Sequence, residues 1–163
     1  MSKEAATQEQ ERLAFLARIT DSEATHLALT TERLFGTIAK VQEELVVQWV
    51  ADIDTAERLD AFVARFARLQ DTVGDKLIPA LLRYVGEDTG PAADNLSKAE
   101  KFGWVFSAQE WAIIRRLRNQ MIHDYIEDPE VLADALEAGR AFTPQLIEMA
   151  GILANETRSR LAS

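Results

Sequence analysis

The chain has 163 residues, 47% of them hydrophobic and 28% charged, enough to bury the core of one soluble domain spanning 1–163. Its formal net charge of −9 argues against a general nucleic-acid binder, whose phosphate contacts need basic surface. With no cysteine there are no disulfides, thiolate nucleophiles or cysteine zinc sites, which suits a reducing cytoplasm.

The first residues, MSKEAATQEQERL, carry no apolar segment of the secretory kind, and no apolar run approaches the roughly 20 residues that span a bilayer. Localisation is therefore expected to be cytoplasmic, without membrane attachment, and the triplets at Asn95 and Asn155 are not read as glycosylation sites. Residues 1–21 read as a helical or frayed extension, helix-prone with its first residues frayed. Leu27, Leu34, Ile38, Val41 and Leu45 then mark a long first helix, with Ser22 as its cap. Asp54, with Glu57 three residues on, opens a second helix. Its apolar stripe runs through Leu59, Phe62, Phe66, Leu69, Val73, Leu77 and Leu81, with a bend expected at Pro79.

The segment GEDTGPAADN (86–95) reads as a loop, followed by a short helix through Leu96, Ala99 and Phe102. SAQE (107–110) is a capping box opening the next helix, and DPE (128–130) restarts one with Asp128 as N-cap and Pro129 at its first position. That last stripe follows Leu132, Leu136, Gly139, Phe142, Leu146 and Leu153, with a bend expected at Pro144. Strand signals are missing. The expectation is an all-α antiparallel bundle of four or five main helices.

Charge is uneven: from Asn95 to Arg118 there are five basic residues (Lys98, Lys101, Arg115, Arg116, Arg118) against two acids, Glu100 and Glu110. The island ends in RRLRNQMIHDY (115–125). On a helix, Trp111, Ile114, Leu117 and Met121 share a core-facing side, while His123 points outward with Asn119 and Arg116. Arg118 sits at the edge of the apolar stripe. Either it snorkels to water, or an anionic partner meets it there. His26 reads as an isolated polar position, and Trp49 and Trp104 as packing anchors.

Arg118-Asn119, three residues, His123, one residue and Tyr125 spell R-N-x-x-x-H-x-Y. This string resembles the signature of the HEPN superfamily, in particular the HepT-like toxins of bacterial HEPN/MNT toxin–antitoxin pairs. RFARLQDTVGDKLIPALL (65–82) resembles the family's central helix, and residues 107–130 its motif helix and following turn. The resemblance covers roughly residues 22–150.

It implies a HEPN-like bundle and a metal-independent endoribonuclease without cofactor, in which His123 is the base for a ribose 2′-hydroxyl. Arg118 would hold the phosphate, and Asn119 would orient the phosphate or the imidazole. Arg115 and Arg116 would support RNA contact, and the product would carry a 2′,3′-cyclic phosphate. Asp71, Asp75 and Lys76 resemble family residues of unassigned chemistry; they either line the cleft or pair with Arg68 on their own helix.

Arg118 and His123 lie about 140° apart on a straight helix. Convergence therefore needs either loosening of the helix near Ile122 or a homodimer that pools two motifs across a two-fold axis. The resemblance also implies a partner nucleotidyltransferase antitoxin that transfers AMP to Tyr125; the plain alternative is a core-edge tyrosine. Three functional readings stand: an endoribonuclease toxin, a non-catalytic binding subunit of the nucleotidyltransferase, and a structural helical dimer.

Overall fold

The computed structural model describes residues 2–123 and 127–163. Every regular element among them is helical: α1 (Lys3–Phe35), α2 (Glu43–Ala51), α3 (Ile53–Gln70), a π-helical segment (Asp71–Leu77), α4 (Ile78–Tyr84), α5 (Ala92–Lys101), α6 (Ala108–His123) and α7 (Pro129–Leu161). The four long helices close a ring in which α1 packs on α3, α3 on α6, α6 on α7 and α7 on α1.

Paired contacts fix their directions. Thr30 meets Arg65 while the earlier Glu23 meets the later Thr72, so α1 and α3 run antiparallel. Asp71 meets Arg118 while Asp75 meets Arg115, which sets α6 antiparallel to the π segment. Asp21 meets Arg158 and Ala39 meets Arg140, which does the same for α1 and α7. The all-α antiparallel bundle is thus observed, with four main helices and three short ones.

Several boundaries differ from the expectation. Ser22 is not a cap: α1 begins at Lys3, with Ser2 accepting from the Ala5 N–H at 3.1 Å. The helical alternative for residues 1–21 holds from Lys3, and Leu13, Leu16 and Ala17 are buried, while residues 3–12 carry no buried side chain. At the other end α1 stops at Gly36, whose φ of 52° places it in the left-handed region. Residues 37–42 leave the helix but keep their apolar side chains inward. Val41 is buried and donates its N–H to Glu137 of α7 at 2.8 Å, and Arg140 reaches the Ala39 carbonyl at 3.2 Å. Leu27 and Leu34 of that stripe lie on α1, Ile38 and Val41 in the loop after it and Leu45 on α2, so one continuous helix was the wrong reading.

The α3 cap is Asp52, two residues before Asp54, accepting from the Thr55 N–H at 3.1 Å. Helix α5 starts inside the expected loop, at Ala92. The Ser107 cap holds through the Glu110 N–H at 3.2 Å, and Asp128 caps α7 through the N–H groups of Glu130 and Val131. Helix α7 runs on through Pro144 to Leu161.

The π segment has a reason in the sequence. Leu69, Val73, Leu77 and Leu81 recur every four residues, a spacing that drifts about 40° per step around an α-helix. A π turn holds more residues and rotates each one less, which brings the stripe back toward the core. All four side chains are fully buried. Ile78 closes the segment by donating to Val73, five residues back, just before Pro79, which has no donor to offer.

Candidate functional site

Helix α6 presents the motif much as its periodicity requires. Trp111, Ile114, Leu117 and Met121 are buried, Arg115 and Arg118 are half-buried, and Arg116, Asn119 and His123 are exposed. Arg118 emerges between the core stripe and solvent, facing the π segment. There it does not simply snorkel. Its Nε donates to Asp71 Oδ1 at 3.1 Å and its Nη2 to Asp71 Oδ2 at 2.8 Å, a paired guanidinium–carboxylate contact. Nη1 donates to Asn119 Oδ1 at 3.1 Å. A guanidinium has five N–H donors, so two remain for another ligand.

Gln70, Asp71, Asp75, Arg115, Arg118 and Asn119 line a polar pocket of about 210 Å³. Arg115 reaches Asp75 at 3.8 Å. Burial pushes the Asp75 carboxyl above the ordinary aspartate range, against the opposing pull of Arg115. Asp71 and Asp75 therefore line the cleft and pair across to α6, rather than with Arg68. Two guanidiniums and two carboxylates nearly cancel, so the pocket of a single chain has little net charge.

The packing beneath is close. A side chain at Gly74 would place its Cβ 2.8 Å from both the Trp111 Nε1 and the Gln70 Nε2. Only glycine lets the indole of α6 lie against the π segment here, and that approach sets the depth of the pocket. Behind it, Thr72 donates to Glu23 of α1 at 2.9 Å, and burial raises the Glu23 carboxyl.

His123 is not brought to this pocket. It occupies the exposed last turn of α6, and α6 stays helical through it, so loosening near Ile122, one of the two routes to convergence, is not seen among the described residues. Within one chain the imidazole and the Arg118 guanidinium keep the wide angular separation of a straight helix. Tyr125 lies outside the described residues. Among the described residues no three His, Asp or Glu side chains gather in a group that could hold a metal ion, and no helix is long and apolar enough to cross a membrane.

Two participants escaped the sequence reading: the direct pairing of Asp71 with Arg118, and Gly74. The signal for the first was an arginine at a core edge, which asks for an acid without naming which. No family model, curated protein or solved structure matches the chain.

Proposed function

We propose that the protein is a metal-independent endoribonuclease of the HEPN type, the toxin half of a toxin–antitoxin pair, working as a homodimer. One observation carries this reading: Arg118 of the R-N-x-x-x-H-x-Y string stands oriented at an open pocket with two N–H donors unspent.

In this mechanism His123 removes the ribose 2′-hydroxyl proton, and the 2′-oxygen attacks phosphorus. The 5′-oxygen leaves and is protonated from water, and Arg118 stabilises the charge gathering on the non-bridging oxygens. Asn119 ties its amide to the guanidinium, and Arg115 and Arg116 add positive charge near the strand. Because α6 keeps Arg118 and His123 apart in one chain, the working cleft takes its imidazole from a second copy whose α6 faces the first.

The test is cleavage of RNA in EDTA. Wild type should give 2′,3′-cyclic phosphate ends, and His123→Ala and Arg118→Ala should each lower the rate by about 100-fold or more. Full activity in both variants would end the catalytic claim. Asp71→Asn keeps the shape of the Arg118 partner but not its charge; if Asp71 orients the guanidinium, turnover falls while KM for RNA changes little.

A second reading is favoured by the two carboxylates, which already neutralise Arg118 and Arg115. In it the chain is a non-catalytic subunit of a nucleotidyltransferase antitoxin, and Tyr125 is the residue that receives AMP. Incubation with that enzyme and ATP should then add an adenylyl mass to the Tyr125 peptide while no RNA is cut. An unmodified peptide argues against this version.

A further inference from the structure

A second pocket, of about 280 Å³, is lined by Glu87, Lys98, Lys101 and Phe102. Two glycine turns frame it. At the end of α5, Gly103 (φ 79°) donates to Glu100 and Trp104 donates back to Ala99 at 2.9 Å, the paired bonds of a Schellman turn. At the end of α4, Gly86 (φ 89°) and Glu87 repeat the pattern, with Glu87 donating to Leu82 at 2.9 Å. Lys98 links the two sides by donating to the Asp88 carbonyl at 2.6 Å. The backbone hydrogen bonds of the two turns and the Lys98 ammonium together set the frame.

On this frame the Phe102 ring lies parallel to the Trp104 indole, centroids 4.5 Å apart and planes 11° apart. Trp104 is buried, at 2% exposure, whereas Phe102 is 40% exposed. One face of the phenyl ring is thus covered and held, and the other is open beside two ammonium groups and a carboxylate. An open, immobilised aromatic face next to lysines is the arrangement by which proteins hold a single-stranded nucleobase, the ring by stacking and the lysines by charge on the phosphates. The carboxylate adds a preference. Among the RNA bases, guanine offers two adjacent N–H donors, at N1 and N2, that a carboxylate can accept together.

We propose that this pocket is a nucleotide subsite for single-stranded RNA, stacking one base on Phe102 and favouring guanine through Glu87. The inference rests on the endoribonuclease reading for its choice of RNA. Continuity with that site is physical, since α5 packs on both α6 and the π segment, the two elements that form the Arg118 pocket. Ten residues of α6 separate Ala108, six residues after Phe102 in the chain, from Arg118. At 1.5 Å per residue that is about 15 Å, a span that one short oligonucleotide covers.

The experiment measures fluorescence anisotropy of labelled, single-stranded G-containing and A-containing oligoribonucleotides on the His123→Ala protein, so that nothing is cut. Phe102→Leu keeps an apolar cover on Trp104 and removes the aromatic face; it should weaken binding about tenfold, as loss of one stacked base does. Phe102→Tyr should bind normally. Phe106→Leu, at an exposed phenylalanine outside the pocket, should also bind normally, and Glu87→Gln should narrow the preference for G over A.

RNA binding that is indifferent to Phe102→Leu overturns the subsite and leaves the cleavage reading standing. Binding that depends on Phe102, in a protein whose wild type cuts nothing, supports the subsite and removes the cleavage reading. Absence of RNA binding overturns the subsite whatever the cleavage assay gives.

Discussion

The two sides of the bundle solve the same packing problem differently. Where α1 meets α7, the seam is apolar. Leu13, Leu16, Leu146, Met149 and Leu153 are buried, and the one ion pair, Asp21 with Arg158 at 2.6 Å, stays at the exposed rim. Where the π segment meets α6, charge enters the crease: Asp71, Asp75, Arg115 and Arg118 share a pocket above a tryptophan, and Glu23 lies behind. Apolar burial suffices to hold the first seam together. The second sinks charges that folding does not need, and half-buried ion pairs are poor sources of stability. On the proposed reading, these charges serve the phosphate of an RNA rather than the fold.

Substitutions can sharpen or break this contrast. The largest effect is expected on the apolar side: Leu153→Ala should cost about 2–5 kcal/mol in urea unfolding, the range for a fully buried leucine, without changing RNA binding in the folded protein. Next comes Gly74→Ala. Its Cβ would press on a buried indole, so a loss of about 1–2 kcal/mol is expected, with a shift in Trp111 fluorescence; a stabilised variant would show that the seam is looser than it looks.

Glu23→Gln probes the buried acid. Burial raises the Glu23 carboxyl in the folded state, so its ionisation weakens the wild type as pH rises through and above the usual glutamate range. The uncharged variant escapes that loss. Relative to wild type, its melting temperature should improve as pH rises through and above the usual glutamate range, following the direction of the raised carboxyl; a difference that stays flat with pH would deny that burial is felt. Smallest should be Asp21→Asn at the rim, about 0.5 kcal/mol or less and fading with salt.

The helices were legible in the sequence because core burial writes itself as periodic leucines, and the Ser107 and Asp128 caps because their partners lie within three residues. Gly36 was overlooked for an instructive reason. Ile38, Val41 and Leu45 keep helical spacing past the break, since the loop holding Ile38 and Val41 folds back onto α7 and Leu45 follows on α2, each packing against the same core. The site was half legible. Arg118, Asn119 and His123 announce themselves as a string, but the partner of Arg118 lies 47 residues away, on a helix whose register is π rather than α. No local pattern carries that information.

The widened turn from Asp71 to Leu77 has a consequence for how the pocket comes into being. A π register is less favourable than an α register for a free helix, so it survives only while its neighbours hold it. A peptide covering residues 53–84, cut loose from the bundle, would lose the contacts that hold the wide turn, and its two aspartates would no longer keep their places around the axis. The carboxylates that greet the arginines are thus aligned by assembly of the whole domain, and they should take their places among the last steps of its folding.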